Sequence, residues 1–151
     1  MSTFKFPIAI GTIALLLTFS TTLDAQMVVG TWARTPTKTA PGVMTMTVES
    51  CCGSGYKLTY RFAMGTNKTV MTVESPFDGT EVPVLVNGKP SGETMAIKRL
   101  DRNHSTTVIK MNGEPFGTSS ATLSADDKTL TVINEMASGA AGKVTETWTK
   151  Q

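Results

Sequence analysis

The chain has 151 residues, carries 14 Lys and Arg against 12 Asp and Glu for a net charge of +2, and is 40% hydrophobic. That length holds one ordinary domain. The charge is small and forms no basic cluster, which argues against nucleic acid as a partner. The two cysteines, Cys51 and Cys52, are neighbours. Adjacent Cα atoms lie about 3.8 Å apart, below the usual disulfide span, and a bridge there closes almost no loop, so no disulfide framework holds the fold.

Residues 1–25 read as a signal peptide and not as fold. Met1 to Phe6 carries one charge, Lys5. Ile8 to Phe19 is an almost unbroken apolar run, and Ser20 to Ala25 turns polar and small. The order of basic start, apolar middle and small residue before a cut predicts cleavage between Ala25 and Gln26, although Leu23 is bulkier than the usual residue two places before. The apolar run falls short of the about 20 residues that span a bilayer, and no later segment is apolar enough to do so. The expectation is an exported protein, periplasmic or secreted, with no membrane span and one domain over 26–151. No Cys follows the cut, so lipid attachment there is not indicated.

Beyond Gln26 the sequence is dense in Thr, Val and Met, and no window has the 3.6-residue periodicity of a helix. Threonine fits the half-exposed face of a strand. Met27 to Thr35 is the first predicted strand. Val43 to Ser50 alternates, with Met44, Met46 and Val48 on one face. After the Gly53-Ser54-Gly55 turn, Tyr56, Leu58, Tyr60 and Phe62 make the cleanest period-two stripe of the chain. Thr69 to Glu74 follows, then Glu81 to Val86, which Pro83 demotes toward a sheet edge. Asn87-Gly88 signals a hairpin, followed by Thr94 to Leu100 and Ser105 to Met111. Asn112-Gly113 signals another. Phe116 to Ser124, Thr129 to Met136 and Val144 to Thr149 complete the set. Met-Thr-Val-Glu-Ser occurs at both Met46–Ser50 and Met71–Ser75, but the likeness stops there and is strand chemistry, not a repeat.

Short links between successive strands make them antiparallel neighbours. The prediction is therefore all-β: an antiparallel up-and-down meander of about 8–10 strands. Closure removes the edges of so many twisted strands, which favours a barrel over two sheets.

Gly30-Thr31-Trp32 in the first strand of such a meander resembles the opening of lipocalins and fatty-acid-binding proteins, the calycin-type barrels. The C-terminal half adds Ile97 to Asp101, Lys110 to Glu114, Gly117 to Ser119 and Leu123 to Val132, in the order of the last hairpins of those barrels. Together they look like a group of small exported bacterial lipocalin-like proteins of unassigned activity. The resemblance implies a lipocalin-like barrel in which Trp32, with Gly30, plugs one end. Two departures stand out. Only Pro36 to Gly42 separates the first two strands, too short for the two-helix lid of fatty-acid-binding proteins. Where those proteins end on Arg-x-Tyr, which holds a carboxylate, this chain has Glu146-Thr147-Trp148.

Chemistry-bearing residues are sparse. His104, the one histidine, lies at a turn beside Asn103, where a solvated histidine is common, with no second ligand or base in sight. Cys51 and Cys52 form a redox pair, a soft-metal site or an intermolecular bridge on the functional readings, and two turn thiols or a strained local ring without activity on the bland one. The carboxylates are scattered, with no glycosidase couple, nucleophile elbow, phosphate loop or zinc-protease helix. No catalytic residue, metal ligand or cofactor is assigned. Asn67-Lys68-Thr69 and Asn103-His104-Ser105 match the glycosylation pattern, which matters only in a eukaryotic secretory pathway.

The expected function is non-catalytic binding of a small apolar or amphiphilic ligand inside the barrel. Its candidate wall residues are Tyr56, Tyr60, Phe62, Glu146 and Trp148. Val144, Glu146 and Trp148 share a strand face, so Glu146 is expected inside, paired with a cation such as Arg61 or Arg99. The alternatives are a protein-binding or inhibitor module acting through its loops, and a small barrel isomerase or haem protein. A roomy interior lined by Met and aromatic side chains favours the first reading, a filled interior the second and a His-centred cavity the third.

Overall fold

The computed structural model describes residues 28–38, 40–139 and 142–151. The predicted signal peptide and its cut after Ala25 lie outside them. Ten strands follow one another: β1 (Gly30–Arg34), β2 (Val43–Cys51), β3 (Gly55–Met64), β4 (Asn67–Ser75), β5 (Asp78–Val86), β6 (Lys89–Arg99), β7 (His104–Met111), β8 (Glu114–Leu123), β9 (Thr129–Met136) and β10 (Lys143–Lys150). Each pairs antiparallel with the next, and β1 pairs with β10, so the meander closes into a barrel. No helix occurs among the described residues.

Alternation puts the apolar stripe inside. On β3, Tyr56 and Leu58 are buried, and Tyr60 and Phe62 face the interior, while Arg61 between them is exposed. The register sets Thr47, Thr59 and Thr72 side by side on the outer face, and Thr59 is only 6% exposed between its neighbours. The dense threonine of the sequence thus covers the barrel from outside.

The turn chemistry is local. Asn87 and Gly88 adopt φ of 49° and 77°, and Asn112 and Gly113 adopt 51° and 85°. Both hairpins have the positive-φ pair that a two-residue turn of the favoured hand requires. β6 and β8 therefore begin at Lys89 and Glu114, directly after these turns and earlier than the Thr94 and Phe116 expected from sequence. Pro83 does not mark an edge, because a closed barrel has none. Instead β4 and β5 pair only at Met71–Val73 with Val84–Val86, so the ladder stops one residue short of Pro83. Towards β6 the register shifts between Pro83 and Leu85.

The two ends of the barrel differ. At one, Trp32, Tyr56, Val73, Ile97 and Leu123 are all buried. The Trp32 indole is fully enclosed, its Nε1 donates to the Val28 carbonyl at 2.9 Å, and the Lys150 ammonium lies 5.4 Å from the ring centre. The other end is the mouth, where Met64 and Val144 are exposed. Val144 was expected inside with Trp148; it is the second residue of β10, at the rim, and is exposed, while Trp148 deeper in the strand is buried.

Candidate functional site

A cavity of about 240 Å³ lies between the plugged end and the mouth. Its wall is apolar on one side and mixed on the other. β2, β3 and β4 supply Met44, Met46, Leu58, Tyr60, Phe62 and Met71. β7 to β10 add the polar groups of Ser105, Thr107, Ser119, Asn134 and Glu146, set among Ile109, Ala121, Leu130 and Val132. Trp148 joins the two sides, its indole edge-on to the Tyr60 ring with centres 6.1 Å apart.

Each polar group reaches the interior through strand parity. On β9, Leu130, Val132 and Asn134 face in, so the amide comes last, near the mouth. Its Oδ1 accepts a 2.6 Å bond from the Ser119 hydroxyl of β8, which the register sets opposite. The Tyr60 hydroxyl has no hydrogen-bond partner among the described residues. Burial pushes its phenol far above the ordinary value, and the Glu146 and Glu93 carboxylates act in the same direction. Tyr60 is thus a neutral donor and acceptor held at the cavity wall.

Glu146 faces inward, but its partner is neither Arg61 nor Arg99. Arg34 Nη1 of β1 donates to Glu146 Oε1 at 3.0 Å, with the two side chains 9% and 20% exposed. Arg34 Nη2 also donates to the carbonyls of Ala40 and Gly42 at 3.0 and 3.1 Å, binding the β1–β2 connection to the barrel wall. Arg34 Nε is buried without a partner. Arg61 fails as the partner because the parity of β3 turns it outward, where it bonds Thr47 Oγ1. Arg99 instead lies over the rings of Tyr56 and Phe77, at 5.4 and 5.9 Å from their centres.

Of the five candidates, Tyr60, Phe62, Glu146 and Trp148 line the cavity. Tyr56 does not: it packs edge-on against Phe77 at 5.0 Å, below the cavity floor that Phe77 helps to form. Gly30 opens β1 and Trp32 seals the end beneath the cavity. His104 is on the outer surface, its Nδ1 2.9 Å from both Asp101 oxygens, and is no part of the cavity wall. The backbone N–H of Asn103, and then His104, hold the Asp101 carboxyl below its usual range. Sequence reasoning missed Arg34, Asn134, Ser119, Ser105 and Thr107. Parity alone was available: Arg34 and Glu146 share the inward faces of Trp32 and Trp148, while the register that sets Arg34 opposite Trp148, two residues from Glu146, was not.

The architecture is a closed ten-stranded antiparallel β-barrel around an interior cavity. Among solved structures, the chain is similar in fold to a mutant of the fluorescent protein UnaG, with a TM-score of 0.61, 12% identity, and coverage of 83% of this chain and 97% of that one. No protein-family model and no curated protein matches the sequence.

Proposed function

We propose that this is an exported, lipocalin-like protein that binds one compact, neutral amphiphile in its barrel without transforming it. The observation that carries this reading is a mainly apolar cavity with a few polar groups gathered on its β7–β10 side. At about 240 Å³ it falls just under the roughly 300–1,000 Å³ of common small-ligand pockets, which suits a single slender chain or a small ring system. Met44, Met46, Met71 and Met95 give the wall an adaptable, polarisable surface. The unbonded Tyr60 hydroxyl and the Asn134 amide offer bonds to a hydroxyl, carbonyl or amide head.

Charge decides the head group. Arg34 neutralises Glu146, so neither an ammonium nor a carboxylate finds a free counter-ion there. A carboxylate would also lose its hydration beside an existing carboxylate. The test is a displacement titration with alkyl chains of equal length bearing alcohol, amine or carboxylate heads, on wild type and Glu146→Gln. The alcohol should bind wild type most tightly. The carboxylate should gain in Glu146→Gln, where Arg34 is left without its counter-ion. Tightest binding of the carboxylate by wild type would overturn the charge argument, and no binding of any chain would overturn the binding function. Export rests on the character of residues 1–25, and N-terminal sequencing of protein from the host should find Gln26 first.

A further inference from the structure

The turn between β2 and β3 lies outside the plugged end, away from the cavity. Cys51 ends β2 and is bonded through sulfur to Cys52, which is exposed and holds a left-handed φ of 54°. Glu74 of β4 reaches the same spot. Its Oε2 lies 3.7 Å from Cys52 Sγ, and its Oε1 lies 3.1 Å from the Lys57 ammonium. Strand register brings it there, because Lys57 pairs with Glu49 on one side and with Glu74 on the other. One donor atom from each of Cys51, Cys52 and Glu74 falls within 4.8 Å of the others.

We propose that this turn is a redox-gated site for one soft cation: shut as the disulfide, and, when reduced, open to Zn(II) or the softer Cd(II) through both thiolates and the Glu74 carboxylate. The bond is poised for reduction. It is exposed, constrains almost no chain and holds a non-glycine residue in a backbone region that L side chains seldom adopt. A dithiol donor supplies the two electrons. One of its thiolates attacks Cys52 Sγ, the S–S bond breaks, and Cys51 leaves as a thiolate that takes up a proton. The donor's second thiol then displaces Cys52 and departs as a cyclic disulfide, leaving two protein thiols.

The donor set fits the cation. Thiolates select soft and borderline metals. Zn–S bonds are about 2.3 Å and Zn–O bonds about 2.0–2.2 Å, so two donors on one ion lie at most roughly 4.6 Å apart. In the disulfide form the three donor atoms already lie within 4.8 Å of one another, and reduction has only to part the two sulfurs to the separation that two ligands of one ion take. Metal binding expels the two thiol protons. Two thiolates with Glu74 and Glu49 outweigh the charge of Lys57, which also fixes the orientation of the Glu74 carboxylate. Three protein donors leave a fourth position for water or another ligand.

The experiment is an anaerobic Cd(II) titration of protein reduced with a phosphine and then desalted, read by the ultraviolet thiolate-to-cadmium charge-transfer band. Reduced wild type should take one Cd(II) per chain and oxidised wild type none. Cys52→Ser should lose the two-thiolate band. Glu74→Gln should bind about tenfold or more weakly, while Glu49→Gln keeps the stoichiometry of one. These side chains lie on the surface, and circular dichroism checks that each variant keeps its β spectrum. No uptake by the reduced protein, half an equivalent per chain, or unchanged affinity in Glu74→Gln would each overturn the site.

Discussion

Removing Glu146 should be the costliest single polar change in the barrel wall. In Glu146→Leu the Arg34 guanidinium, 9% exposed, keeps the carbonyls of Ala40 and Gly42 but loses its counter-ion, and its Nε is already without a partner. Breaking a fully buried pair from one side costs about 3–5 kcal/mol. Glu146 is 20% exposed, so solvent screening lowers the expectation to about 2–3 kcal/mol. Arg34→Met should cost less, about 1–2 kcal/mol, because the stranded carboxylate faces a cavity that can hydrate it. The double variant should then be more stable than the sum of the singles implies, with a coupling of about 1–2 kcal/mol. Urea unfolding followed by the fluorescence of Trp32 and Trp148 gives each value from the midpoint and slope. A cost below about 1 kcal/mol for Glu146→Leu, or singles that add to within about 0.5 kcal/mol, would show that the pair is solvated and that Arg34 does not organise the mouth.

Tyr60→Phe removes a hydroxyl that has no partner among the described residues, so it should change stability by less than about 0.5 kcal/mol in the same assay, and a loss above about 1.5 kcal/mol would refute its free state. Gly55→Ala should destabilise by about 1–3 kcal/mol, because its Cβ would land 2.5 Å from the Ser75 carbonyl oxygen and one strand must shift; an unchanged melting temperature would contradict that close approach. Burial raises the Glu93 carboxyl above 4.5, so the folded state holds this proton more tightly than the unfolded chain. Its contribution is favourable below the unfolded value and lost as pH rises through the folded one. Glu93→Gln should therefore raise the melting temperature at roughly pH 7 and leave it unchanged at roughly pH 3. Equal effects at both pH values would show that the change acts through packing instead.

The β meander was legible because its signals are local. The Tyr56–Phe62 stripe needs only alternation, and Asn87-Gly88 and Asn112-Gly113 need only the φ their turn demands. The strands β6 and β8 start earlier than expected, and Pro90 and Pro115 near their starts lie inside paired strands. The partner of Glu146 was illegible for a different reason. Arg34 is 112 positions away and reaches it only through the closure of β1 on β10, whose register no local pattern encodes. The polar side of the cavity was hidden by composition. In β7 and β8, Ser and Thr occur on both faces, so Ser105, Thr107 and Ser119 look no different from outward residues such as Thr106 and Ser120. The inward position of Tyr60, Phe62 and Trp148 followed from size and parity, whereas Tyr56 obeyed the same parity one layer too deep.

β4 and β5 are nine-residue strands joined only where Met71–Val73 meet Val84–Val86. At the mouth side the Asn87 N–H still donates to the Val70 carbonyl at 2.8 Å, but past Val73, toward Ser75 and Asp78, the paired register does not continue. The circumference of the barrel is therefore not fixed by its hydrogen-bond ladder, as it is between β2 and β3, where the pairing runs from Val43 to Cys51. A ladder this short is where the wall should give first around guests of different girth. Discrimination among them then rests on where their polar atoms meet Tyr60 and Asn134, and less on how wide they are.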